Sequence, residues 1–233
     1  GRVRAGLASR PLMSQATLTK GTRMSEAPIP DVLTAAELDA LLAVVNGRSK
    51  TALRTRALLR VAHDAALRSA EVVKLRPADV DLATGSVNVR KGKGGRSRLI
   101  RDCLDPATCE AVAAWLALRD TFGWDGRSAV LFGTFYTRPG RASGDNSAAK
   151  GGDPLDTSYL RRLLPKLAAK AKLSKDVSPH LLRHTRARGW SDRGVPVADI
   201  QQALGHRRLA TTSIYLARLA PAGMGASQHG RAA

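Results

Sequence analysis

Near the end of the chain stand four residues whose types and spacing suit chemistry on an anion: His180, Arg183, His206 and Tyr215. Ser178-Pro179 reads as a helix start, an N-cap followed by proline at the first helical position. His180 and Arg183 then project from one face of that helix near its positive end. Gly205 reads as a helix C-terminus and sets His206 just beyond it. Thr211-Thr212 can cap a last short helix that carries Tyr215. Two histidines, an arginine and a tyrosine delivered from consecutive helical segments suit a phosphodiester above all other anions.

The ordered set His180-x-x-Arg183-His184-Thr185, Leu204-Gly205-His206 and Tyr215 resembles the catalytic box of the tyrosine recombinases, the phage-integrase family. Upstream, Leu67-Arg68-Ser69-Ala70-Glu71 resembles the family's first box, which makes Arg68 its arginine and Glu71 its supporting acid. The family often has serine where this chain has Ala70. Gly92-Lys93-Gly94 resembles the hairpin that carries the family's catalytic lysine, so Lys93 is the match and Lys91 the competing choice. Taken singly, these pieces have plainer readings. Arg68 and Glu71 could be a surface pair across one helical turn, and the lysines a solvated basic turn. A nucleotide-cradling loop is excluded because the Gly-x-x-x-x-Gly-Lys-Ser/Thr order is missing. His180, His184 and His206 offer metal-ligand types, but neither Cys nor carboxylate accompanies them, and Arg183, Arg186 and Arg188 repel a cation. We therefore assign no metal and no cofactor.

The chemistry follows from the residue types. A phosphodiester attacked by a hydroxyl gains negative charge on its nonbridging oxygens. Two guanidinium forks, Arg68 and Arg183, fit those oxygens bidentately and stay charged at any working pH. His206 can donate a further hydrogen bond, and His180 can accept the proton of Tyr215 or position its hydroxyl. The departing 5′-oxygen needs a proton, which Lys93 can supply if a neighbouring charge or burial makes its ammonium more acidic. Tyrosine as nucleophile keeps the bond energy in a phosphotyrosine, so a DNA hydroxyl can reverse the step without ATP. The other tyrosines, Tyr136 and Tyr159, are nucleophiles only in principle; Tyr159 lies in an apolar and basic helix that suits a core.

The elements that must position these groups are legible in turn. Thr34-Ala35-Ala36-Glu37 is a capping box, and Leu38, Leu41, Leu42 and Val45 follow at helical spacing. A second helix over about 50–66 is expected to bury Leu53, Leu58, Val61 and Ala65 while exposing Arg54, Arg56 and Arg60. From Asp79 to Asp102 the period changes. Val80 and Leu82, a turn at Thr84-Gly85, Val87 and Val89, a glycine-rich turn and Leu99-Ile100 predict a three-stranded antiparallel meander. Asp105-Pro106 starts a helix to about Asp120 with Val112, Trp115 and Leu116 inward. Ala129–Phe132 is a strand or an extended connection, and 137–154 a long surface loop. A helix over 156–173 carries Pro165, which should kink it.

Composition agrees with a polyanionic partner. The chain of 233 residues has a formal net charge of +19 and is 43% hydrophobic but only 4% aromatic. The core should thus be mostly Leu, Val and Ala, and the basic excess calls for nucleic acid. No apolar run is long enough to span a membrane, and the first residues lack a signal-peptide core. Cys103 and Cys109 match no metal spacing and read as small hydrophobes in a reducing cytosol. Residues 1–28 read as a basic arm or linker, 29–220 as the catalytic domain and 221–233 as a tail.

The expected fold is mainly α with a small three-stranded antiparallel sheet. The resemblance implies a site-specific recombinase or integrase acting on double-stranded DNA through a 3′-phosphotyrosine and assembling into a tetrameric synapse. It implies catalytic roles for Arg68, Lys93, His180, Arg183, His206 and Tyr215, with Glu71 supporting. Lys91, Arg96, Arg98, Arg207 and Arg208 are expected to contact DNA. The alternatives are a type IB topoisomerase, which shares the active-site group, and a non-catalytic DNA-binding regulator or remnant.

Overall fold

The computed structural model of the chain describes residues 32–90, 97–124, 129–136 and 151–206. Its central element is helix α2, Lys50–Asp64, started by the Ser49 side chain accepting from the Ala52 N–H. Around it pack α1 (Ala35–Ala43), the one-turn α3 (Ser69–Val72), α4 (Pro106–Asp120) and α6 (Pro179–Asp192). With neighbours on several sides, α2 is buried well beyond one stripe, and Arg54 and Thr55 are buried along with Ala57, Leu58, Leu59 and Val61. This corrects the expectation that Arg54 faces solvent. Its guanidinium donates to the Gly133 carbonyl at 2.6 Å and to the Tyr159 hydroxyl at 3.3 Å, and lies 4.4 Å from the Phe135 ring centroid. Carbonyl, hydroxyl and aromatic face together replace part of the water the cation gives up.

The capping box on α1 is present in full. Thr34 Oγ1 accepts from the Glu37 N–H, and Glu37 Oε2 accepts from the Thr34 N–H. Helix α4 begins as its sequence predicts, with the Asp105 side chain accepting from the Thr108 N–H and Pro106 in the first turn. Asp64, at the end of α2, accepts from Thr108 Oγ1 at 2.6 Å, which joins the two helices.

The meander is present too. Strands β1 (Val80–Asp81), β2 (Ser86–Val89) and β3 (Arg98–Ile100) pair antiparallel in the order β1-β2-β3. Val87 stands opposite both Val80 and Ile100, and Val87, Val89 and Ile100 turn inward. The 129–132 segment is not a strand: it bends at Leu131 and Phe132 and leads into an isolated antiparallel bridge between Gly133 and Pro154. Leu131 donates its N–H to the Leu75 carbonyl at 2.6 Å and accepts from Trp115 Nε1 at 2.8 Å.

Leu, Val and Ala make up most of the buried core, as composition suggests. The aromatics are unevenly placed, however: Trp115, Phe122, Trp124 and Phe135 form one cluster with ring centroids 5.1 to 6.2 Å apart. Helix α5 (Tyr159–Lys170) starts later than expected because Asp156 caps a turn instead, accepting from the Ser158 N–H. It continues through Pro165. Helices α6 and α7 (Val197–Leu204) are the last elements among the described residues. Among the described residues, no helix is long and apolar enough to cross a membrane.

Candidate active site

Two turns carry Arg68 and His206, and both are shaped by local sequence. At the end of α2 the chain passes through Ala66 with φ of 46° and enters α3 with Arg68 as the residue before its first turn. Glu71 Oε2 accepts from the Arg68 N–H at 2.9 Å, and Glu71 Oε1 accepts from Arg68 Nη1 at 3.0 Å. At the end of α7 the His206 N–H donates to the Gln201 carbonyl and the Gly205 N–H to the Gln202 carbonyl. This Schellman arrangement places Gly205 at φ of 62°, as its C-terminal position predicts.

Arg183 joins the two turns. The Ser178 cap and Pro179 start α6 as the sequence indicates, and its second turn buries Arg183. Arg183 Nη1 donates to the Ala66 carbonyl at 2.6 Å, and Nη2 donates to the Leu204 carbonyl. Each acceptor lies two residues before a site residue, Arg68 in one case and His206 in the other. His180 on the same helix is exposed, with its ring centroid 6.4 Å from that of His184.

Arg98 joins the same two turns from the sheet. Its Nη1 and Nη2 donate to the two Glu71 carboxylate oxygens at 2.9 Å each, and its Nε donates to the Ala203 carbonyl at 2.7 Å. Arg98, expected from the sequence to contact DNA, is turned into the protein instead. Its side chain is 8% exposed and its fork lies on a carboxylate. The period-2 alternation of β3 carries the signal, because Arg98 shares the inward face with Ile100 while Leu99 faces out.

The electrostatics of this group are strongly cationic. Burial raises the Glu71 pKa, but the hydrogen bonds and charge of Arg98, with Arg68 assisting, outweigh that and bring it down to about 2. Burial, together with the charges of Arg183, Arg68 and Arg98, pushes His206 down to about 4, so its ring is neutral at physiological pH. His184 is lowered by burial and by His180 and Arg183. Arg68, Glu71, Arg98, Arg183 and His206 are thus brought to one place. Lys91, Lys93, Arg96, Arg207, Arg208 and Tyr215 lie outside the described residues.

The family model for the phage integrase family matches residues 31–220. The chain belongs to the phage integrase family. Tyrosine recombinase XerC of Halalkalibacterium halodurans is 32% identical to this family member over 187 residues, covering 80% of this chain and 57% of XerC. A crystal structure of XerA recombinase superimposes with a TM-score of 0.64 at 30% identity, covering 82% of this chain and 61% of XerA. A pre-cleavage complex of XerH site-specific recombinase bound to its difH substrate gives 0.62 at 25% identity, with 81% and 50% covered. The integrase-family chain spans little more than half the length of the curated relatives it matches.

Gly205 gives this site a direct test. A Cβ there would lie 3.1 Å from Arg98 Nη1, and the backbone is left-handed. Gly205→Ala should therefore lower unfolding free energy by about 1–2 kcal/mol in denaturant titration, the usual cost of a side chain in that conformation. Unchanged stability would show that the Leu-Gly-His turn relaxes freely.

Proposed function

We propose that this chain is the strand-cleaving part of a site-specific DNA recombinase that works through a 3′-phosphotyrosine. The observation that carries the reading is the double tie, by Arg183 and by Glu71 with Arg98, that brings Arg68 and His206 to one place. Residues more than a hundred positions apart in sequence converge on one cationic spot, as a single anionic reacting group would require.

In this reading Arg68 and Arg183 stabilise the charge that builds on the nonbridging oxygens. His206, whose pKa is lowered in the DNA-free chain by burial and the neighbouring arginines, donates a hydrogen bond to the reacting phosphate. Tyr215 attacks phosphorus, so a bond from its oxygen to phosphorus forms as the bond to the 5′-oxygen breaks. His180, on the exposed start of α6, receives or orients the tyrosine proton. Lys93 protonates the departing 5′-oxygen. Neither ATP nor a metal is needed, because the phosphotyrosine keeps the bond energy and the arginines supply the charge. The substrate is double-stranded DNA, and strand exchange takes place in a synapse of four copies.

The test is covalent capture. The chain is mixed, in excess chelator, with a randomised library of duplexes nicked so that the short 5′-hydroxyl strand diffuses away after cleavage. A denaturation-resistant protein–DNA adduct is expected, and peptide mapping should place the phosphoryl group on Tyr215. An adduct that forms only with magnesium, one on another residue, or none at all overturns the reading.

A further inference from the structure

Arg98 opens strand β3 with a side chain 8% exposed, against 27% for Arg68. Both cations meet the same carboxylate. Glu71 takes the planar fork of Arg98 on its two oxygens and still accepts from Arg68 Nη1 and the Arg68 N–H. On the far side, Arg98 Nε holds the Ala203 carbonyl, three residues before His206. The guanidinium also occupies the space beside Gly205, the residue before His206.

An Arg68–Glu71 pair alone would be partly exposed and worth little, and it would consume the charge of Arg68. With Arg98 also on Glu71, two guanidinium groups share one carboxylate. One positive charge is therefore left over, and Arg68 is the more exposed of the two groups. Fork-on-carboxylate geometry fixes Glu71 in one orientation, and with it the base of the Arg68 side chain.

We propose that Arg98 is a positioning residue of the strand-cleaving site: through Glu71 it holds Arg68 available to the phosphodiester, and through Ala203 it holds the turn presenting His206. This rests on the phosphotyrosyl-transfer reading given above. Arg98 itself touches no DNA.

The test uses the captured duplex and three readouts for each variant: DNA affinity with its salt dependence, cleavage rate at saturating DNA, and melting temperature. Arg98→Gln should slow cleavage about 10²-fold, the scale of a small misplacement of a catalytic group. Its affinity should stay within about twofold, with an unchanged salt slope. Arg98→Lys keeps the charge but not the fork and should recover part of the rate. In an Arg68→Lys background, Arg98→Gln should cost far less than in the unaltered chain, because its effect passes largely through Arg68. If the single variants fail to fold, Glu71→Gln with Arg98→Met removes both buried charges together and is expected to cleave as slowly as Arg98→Gln.

A salt slope reduced by about 0.9 with an unchanged saturated rate would make Arg98 a phosphate contact and overturn the proposal. So would losses that add fully to those of Arg68→Lys and follow melting temperature alone. If the unaltered chain forms an adduct and Arg98→Gln cleaves at the same rate, only the role of Arg98 falls. If the unaltered chain forms none, the reading of the site falls and takes that role with it.

Discussion

Tyr215→Phe should bind DNA as tightly as the unaltered chain and form no covalent adduct. The loss is expected to be total because the hydroxyl oxygen is the atom that bonds to phosphorus, and phenylalanine keeps the ring but offers no substitute. The chain has only three tyrosines. The Tyr159 hydroxyl accepts from Arg54 at 3.3 Å, and Arg54 is itself fixed on the Gly133 carbonyl. Tyr136 is 71% exposed, with the Lys50 ammonium 5.6 Å from its ring centroid, beside the aromatic cluster and Arg54. Neither is delivered by the segments that carry Arg183 and His206. Tyr136→Phe and Tyr159→Phe should accordingly cleave at the unaltered rate. Adduct surviving in Tyr215→Phe, at any level above background, would move the nucleophile elsewhere.

Features set by a few neighbouring residues were legible in the sequence. The Thr34–Glu37 capping box, the Asp105-Pro106 and Ser178-Pro179 helix starts and the left-handed Gly205 each depend on hydrogen bonds across a single turn. The meander was legible for the same reason, since alternation of Val87 and Val89 and the flanking turns define it locally. What escaped was the destination of long cationic side chains. Arg54 sits on a helix whose sequence looks amphipathic, and it is buried where the 133–135 segment and Tyr159 of α5 come against that helix. Nothing within one turn of Arg54 announces this.

The site divides along the same line. The ordered boxes gave Arg68, Glu71, Arg183 and His206, and the structure brings these together. The pattern could not tell that Arg183 reaches two backbone carbonyls, because Ala66 and Leu204 become neighbours only when α2 and α7 pack beside α6. Arg98 was readable in principle, since the alternation that puts Ile100 inside puts Arg98 inside as well. A buried cation then needs an anion, and Glu71 is the acid of the neighbouring box. At this position strand register, more than charge, decides where the side chain goes.

Lys93→Ala should slow cleavage of ordinary DNA by about 10²–10⁴-fold, the usual worth of a general acid. The useful contrast is with a substrate whose bridging 5′-oxygen is replaced by sulfur. A thiolate leaves without a proton because a thiol is far more acidic than an alcohol, so the variant should recover most of its rate there. Arg68→Ala is the comparator. Its proposed task is to stabilise charge on nonbridging oxygens, which the sulfur does not relieve, so it should stay slow on both substrates. Arg183→Ala would serve less well, because Arg183 also holds the Ala66 and Leu204 carbonyls and its loss mixes folding with chemistry. Lys91→Ala controls for the neighbouring lysine. If Lys91→Ala shows the rescue while Lys93→Ala cleaves normally, the acid stands two residues earlier. If neither variant is rescued, the hairpin lysines only bind DNA and the proton comes from elsewhere. His180, exposed at the start of α6, is then the next residue to substitute.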